Sequence, residues 1–180
     1  MELSSLETLS PLDGRYRSQL INMANTFSEY ALIQHRVQIE CQWVIFLIKS
    51  SLLPELNNAE NLEKILEKIS ESFGLSDAQH DLKAVEYFIK QKLQEAGLSQ
   101  YQEFIHFGCT SEDINNLAYA LMLQEGVGFL LQALSLLNTR LQSLASQYAK
   151  QPMLSRTHGQ AATPTTLGKE IANYYSRLSR

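Results

Sequence analysis

The sequence predicts an all-α fold, and three observations carry that expectation. Glycine and proline are scarce, 8 and 4 of 180 residues, so long stretches lack the residues that set tight turns. Apolar residues recur at steps of three and four, the spacing of one helix face. No segment alternates apolar and polar residues convincingly at period two, the mark of a half-buried strand. Residues 1–108 are expected to form an N-terminal helical domain, and 109–180 the first part of a long-helix bundle domain.

From Leu20, the positions Leu20, Met23, Phe27, Tyr30, Val37, Cys41, Val44 and Ile48 trace one long amphipathic helix. It ends near Ser50-Ser51, ahead of Pro54. A second helix spans Ala59 to about Ser72, with Leu62, Ile65, Leu66 and Ile69 on one face and Gly74 at its C-terminal cap. A third runs from about Asp81 to Ala96 through Val85, Phe88, Ile89 and Leu93, and stops at Gly97. Thr110-Ser111-Glu112-Asp113 starts a fourth, because hydroxyls cap free backbone N–H groups and acids in the first turn suit the helix dipole. Its face of Ile114, Leu117, Ala118 and Leu121 leads to Gly126 and Gly128, where a bend or split is expected. Leu130, Leu134, Leu137, Leu141, Leu144 and Tyr148 then continue a near-heptad seam that wants a helical partner, from the same subunit or another. Residues 151–164 read as a polar loop. A last helix begins near Thr165 and its pattern is still running at Arg180, as in a piece of a longer chain.

Composition narrows the function. Fifteen Lys and Arg against nineteen Asp and Glu give a net charge of −4, and no basic stripe offers a nucleic acid its footprint. The apolar fraction of 44% with modest net charge excludes a disordered chain. Cys41 and Cys109 are too few for a disulfide scaffold, and neither sits in a metal-type Cys/His spacing. The first residues lack a basic region followed by an apolar run, so no secretory signal is expected. The longest uninterrupted apolar stretch, near Trp43 to Ile48, is too short to span a bilayer. A cytoplasmic protein that binds neither membrane nor nucleic acid is expected.

Four segments concentrate reactive residues outside the apolar stripes. In Ser10-Pro11-Leu12-Asp13-Gly14-Arg15-Tyr16, a guanidinium and a phenol beside a turn suit phosphate oxygens, although a surface Arg in an ordinary loop gives the same pattern. Gln79-His80-Asp81 opens the third helix and suits an anion; taken alone, Asp81 reads as a helix cap and His80 as its solvated neighbour. In His106-Phe107-Gly108-Cys109-Thr110-Ser111-Glu112-Asp113, the two hydroxyls and the adjacent N–H groups suit a carboxylate or phosphate, where simple N-capping needs only one. Cys109 has no evident base and reads as a small buried residue. Finally, Ser155 to Thr166 holds His158 among Thr157, Gly159 and Gln160. Core packing explains that setting poorly, whereas proton transfer near neutral pH explains it well.

Taken together, these segments resemble the adenylosuccinate lyase family of the fumarase/aspartase superfamily, in its bacterial form. The resemblance covers essentially the whole chain. It rests on Ser10 to Tyr16, on His80-Asp81-Leu82-Lys83-Ala84-Val85-Glu86-Tyr87-Phe88, on Glu103 to Asn116, and on Ser155 to Lys169, in that order. It implies a β-elimination that releases fumarate from succinylated purine nucleotides, with no metal and no organic cofactor. By the same resemblance Arg15 and Tyr16 bind the nucleotide phosphate. Gln79, His80 and Asp81 line the substrate site, with His80 assisting the proton donor. Thr110 and Ser111 hold the succinyl carboxylate, His106 matches a binding or supporting position, and His158 is the general acid. A homotetramer is implied for the parent enzyme. Two departures stand out. Gln79 occupies a place where the near relatives have Asn, and the family's mobile loop with its serine base has no counterpart here. The 180 residues alone are therefore expected to be inactive. A sibling lyase acting on argininosuccinate or aspartate, or a non-catalytic helical assembly module, are the other readings.

Overall fold

The computed structural model describes residues 4–57, 59–78 and 81–180. They form two compact units, residues 1–126 and 127–180. The first holds α1 (Ile21–Phe27), α2 (Glu29–Ser50), α3 (Glu60–Ser72), α4 (Leu82–Glu95) and the opening part of α5 (Ser111–Gln147), joined by short 3-10 turns.

Where the apolar pattern predicts one helix from Leu20, there are two. Ser28 is extended at φ −69, ψ 162, and its hydroxyl accepts from the Ala31 N–H at 3.2 Å. The extended backbone at Ser28 stops α1, and its hydroxyl bond caps α2. Periodicity alone does not see the break: Leu20, Met23 and Phe27 keep steps of three and four, yet Met23 is exposed while Ala24 and Thr26 are buried. Ser28 is buried, so its cap satisfies an N–H that water cannot reach.

Helix α2 is the centre of the first unit. Its Ile33, Val37, Cys41 and Val44 are buried against Leu62, Leu66 and Ile69 of α3 and Val85, Ile89 and Leu93 of α4. Each such side chain contributes about 1.5–3 kcal/mol by leaving water. Helix α3 ends at Phe73, which is extended and stacks on Tyr30 with ring centroids 6.1 Å apart. Gly74, expected at this cap, instead opens the next turn. Helix α4 starts on Asp81, whose carboxylate accepts from the Lys83 N–H at 3.2 Å, and is followed by Gly97 at φ +76.

Helix α5 runs unbroken through Gly126 and Gly128. A Cβ at Gly126 would strike the Phe27 ring, so this glycine makes room for packing rather than a bend. Ile114 and Ala118 pack on Ile39 of α2. Further along, Leu123, Val127, Leu130, Leu131, Leu136 and Leu137 are exposed. By length and composition α5 is apolar enough to cross a membrane. A search for uninterrupted apolar runs passes over it, because Asn, Gln, Ser and Gly are interspersed.

In the second unit, the rest of α5 is followed by β1 (Pro152–Thr157), β2 (Gln160–Thr166) and α6 (Leu167–Leu178). The segment read as a loop is thus an antiparallel hairpin, with Thr157 opposite Gln160 and a bulge between Leu154 and Arg156. Both strands are edges, so Pro152 and Pro164 remove no needed ladder bond. Both faces are largely exposed, so no apolar alternation announces the strands. Thr166 caps α6 by accepting from the Lys169 N–H at 3.2 Å. Gly168 is buried where a Cβ would strike the Ala145 carbonyl, and its N–H donates to the Tyr148 carbonyl at 2.9 Å. The fold remains mainly helical.

Candidate active site

The turn that presents Arg15 is built by other residues. The Asp13 carboxylate accepts the Leu9 and Ser10 N–H groups, each at 2.6 Å, and the Arg17 guanidinium at 2.8 Å. Those backbone donors hold the Asp13 carboxyl below its ordinary range. Arg17 also donates to the Glu7 carbonyl at 2.9 Å. Arg17 is therefore spent on structure, whereas Arg15 and Tyr16 stay exposed, the guanidinium carbon 5.7 Å from the ring centroid. A cation and a phenol are left together at the surface.

At the start of α4, Gln79 and His80 lie outside the described residues. Asp81 is the cap of α4 and is exposed. It borders an open pocket of about 490 Å³ with Asp77, Lys83, Tyr87, Gln91 and Lys92. Beneath it, Glu86 is pushed up by burial, but Lys83 and Lys90 together hold it below its usual range.

The segment from His106 to Asp113 is fastened to α2. The Glu40 side chain is fully buried, and its carboxylate accepts from the His106 N–H at 3.1 Å and meets Nδ1 of the same residue at 2.6 Å. Trp43 donates from Nε1 to the Phe107 carbonyl at 2.8 Å, and Arg36 from Nε to Asn115 at 2.9 Å. Residues 36, 40 and 43 are spaced four and three apart, so one face of α2 carries all three bonds. Burial raises the Glu40 carboxyl above its ordinary range, and His106 offsets only part of that rise.

At the N-terminus of α5, the Asp113 carboxylate accepts the Thr110 N–H at 2.7 Å and the Thr110 hydroxyl at 2.8 Å. Those bonds hold the Asp113 carboxyl low. Thr110 thus uses its proton on Asp113 and turns no cap toward the helix. Ser111 beside it is exposed. Burial pushes the Cys109 thiol up, away from a thiolate nucleophile, and the Cys41 thiol up to about 12.

His158 belongs to the second unit and is exposed at the tip of its hairpin. His158 has φ +50 and Gly159 φ +77, the pairing of a type I′ turn. Within the first unit, no hydrogen bond or ion pair among the described residues joins Arg15, Asp81 and Ser111 to one another, and among the described residues no cluster of three His, Cys, Asp or Glu suits a metal ion.

The spacing patterns pass over Glu40, Arg36 and Trp43. A signal existed for Glu40: an acid between Val37 and Val44, on the apolar face of a helix, is rarely buried without a partner.

Comparison with known proteins supplies the family. Adenylosuccinate lyase of Buchnera aphidicola is 44% identical over all of this chain, that of Escherichia coli K12 45%, and that of Dictyostelium discoideum 46% over 99% of it. In each case the chain spans 42% of the relative's length. Among solved structures, β-carboxy-cis,cis-muconate cycloisomerase from Acinetobacter calcoaceticus has a TM-score of 0.71 over 89% of this chain and 38% of its own, at 20% identity. The 3-carboxy-cis,cis-muconate lactonizing enzyme of Pseudomonas putida gives 0.68 over 88% and 37%, at 23% identity. These two share the fold. A family model described as Lyase matches residues 14–180, from the Arg15 turn through the end of α6, and the chain belongs to that family.

Proposed function

We propose that this chain is the N-terminal part of a cytoplasmic adenylosuccinate lyase, which releases fumarate from adenylosuccinate, and from the succinylated aminoimidazole carboxamide ribotide, by β-elimination. The observation that carries the reading is identity of 41–46% to adenylosuccinate lyases along 99–100% of the chain, a span that includes Arg15, Ser111 and His158.

The residues suit the chemistry. Eliminating an amine needs a proton at the departing nitrogen and a base at the carbon beside a carboxylate. His158 is the general acid: its ring is exposed at a hairpin tip, where it can reach a substrate. Ser111 and Thr110, at the N-terminus of α5, hold the succinyl carboxylate, where the helix dipole favours negative charge; for this the Thr110 hydroxyl turns its proton from Asp113 to the substrate. Arg15 and Tyr16 hold the phosphate, since Arg17 and not Arg15 is consumed by Asp13. Gln79, His80 and Asp81 line the substrate site. No metal or organic cofactor enters this scheme. The residue that removes the carbon-bound proton lies outside these 180 residues, so the chain alone is inactive.

A homo-oligomer, a tetramer in the parent enzyme, is part of the same reading, carried from the family resemblance; the exposed leucines of α5 are a surface that a bundle of helices would cover. On this reading residues 1–108 are the N-terminal helical domain and 109–180 the first part of the central helical-bundle domain, with the carboxylate site and the general acid on the second.

The test is His158→Ala in the full-length protein, with fumarate release followed at saturating substrate. Loss of general acid catalysis costs about 100- to 10,000-fold in turnover, with substrate still bound. Near-normal turnover refutes the assignment.

A further inference from the structure

We propose that Glu40 is a positioning residue for His106: its buried carboxylate takes the ring by Nδ1, fixes the Nδ1–H tautomer, and leaves Nε2 as the atom offered to a ligand. The use of Nε2 rests on reading residues 106–113 as part of the substrate site; the tautomer does not.

The geometry is a two-point clamp on one residue. One carboxylate oxygen accepts the His106 backbone N–H at 3.1 Å and the other lies 2.6 Å from Nδ1. An ionised carboxylate only accepts, so the ring nitrogen facing it carries the proton. A purely structural tie would be complete with the backbone bond. The second bond adds the orientation of the ring.

The backbone supports the same conclusion. His106 sits at φ +63, in the left-handed region that glycine enters freely and other residues do not. A histidine is nonetheless kept there, with its ring 22% exposed and, among the described residues, no hydrogen-bond partner on Nε2. The Trp43 bond to the Phe107 carbonyl and the Arg36 bond to Asn115 fasten the flanks of the segment. The helix that builds the core thereby also aims the imidazole.

Charged and titratable groups from α4 and α5 face the pair. On α4, Glu86 raises Glu40, but Lys83 and Lys90 occupy Glu86 itself. On α5, Asp113 feels the charge of His106 and is bonded to Thr110. Cys109 lies between them with its thiol pushed up by burial. Among the described residues Glu40 alone reaches Nδ1.

Imidazole 15N chemical shifts of the labelled 180-residue chain test the proposal. Only four histidines contribute, and His106→Gln assigns the signal. Wild type is expected to show Nδ1 protonated and Nε2 bare when the ring is neutral. Glu40→Gln keeps an acceptor and keeps that tautomer. In Glu40→Leu, the ratio of Nδ1–H to Nε2–H should fall about tenfold or more, the scale of one charge-assisted hydrogen bond. An Nε2–H ring in the wild type, or an unchanged ratio in Glu40→Leu, overturns the proposal. If Glu40→Leu fails to fold, the wild type and Glu40→Gln decide it. No turnover is measured, so failure here is separate from failure of the lyase reading.

Discussion

Replacing His158 by Asn should tighten the hairpin while removing the proton donor. His158 and Gly159 are the two central residues of the turn, at φ +50 and +77, and the strands leave it with Thr157 opposite Gln160. A left-handed residue other than glycine costs roughly 1–2 kcal/mol, and Asn followed by Gly is the preferred pair for this turn. His158 is exposed and makes no hydrogen bond among the described residues, so nothing offsets the gain. Recovering about half of the backbone cost, some 0.5–1 kcal/mol, slows local opening roughly two- to five-fold at 1.36 kcal/mol per decade. Amide hydrogen exchange at residues 156, 157, 160 and 161 reads this directly, because each local opening exposes those amides. The same substitution in the full-length protein should lower turnover about 100- to 10,000-fold. Faster exchange in the variant would mean that the imidazole contributes to the hairpin and is not held there for chemistry alone.

Two further outcomes follow from the packing and the charges. Gly168→Ala forces a methyl into the Ala145 carbonyl and the Ala149 backbone; it should destabilise the second unit by about 1–3 kcal/mol, read as lower thermal stability and loss of amide protection at residues 167 and 168. Asp13 is held low by the Ser10 and Leu9 N–H groups. A depressed carboxyl contributes stability above its unfolded value of about 3.9 and loses it as pH falls through the folded value. NMR of residues 9–17 should therefore show the turn loosening only below about pH 4. Asp13→Asn should show it loosened at neutral pH, and an acid-insensitive turn would contradict this.

Much of the helical frame was legible in the sequence because burial imposes a period. Leu62, Leu66 and Ile69 on α3 and Val85, Ile89 and Leu93 on α4 lie on the faces their spacing predicts. The hairpin was not legible. Its strands are exposed on both faces and contain two prolines, so they leave no alternating trace. Nor was the break at Ser28, where the apolar spacing runs on although the buried residues of α1 are Ala24 and Thr26 and not Met23. Gly126 was misleading for a similar reason: its value lies in a contact with Phe27, 99 positions away in the chain (126 − 27), which no local pattern records. At the candidate site, the residues came from motif order, since Arg15 and Thr110 each look like ordinary turn or cap residues alone. Structure adds what motifs leave out, namely that Asp13 builds the turn beside Arg15 with Arg17 as its partner, and that Glu40 and Asp113 hold His106 and Thr110.

Fumarate formation from adenylosuccinate, measured side by side for the full-length protein and for the 180-residue chain, decides whether the two halves of the elimination are divided as proposed. His158 supplies the proton to the leaving nitrogen, and the base lies elsewhere. The full-length protein is therefore expected to release fumarate and the 180 residues to release none. A full-length protein without activity would contradict the lyase reading. A chain whose turnover comes within a factor of about ten of the full-length protein, a barrier difference of only ~1.4 kcal/mol, would place the base inside these residues and contradict the division of labour.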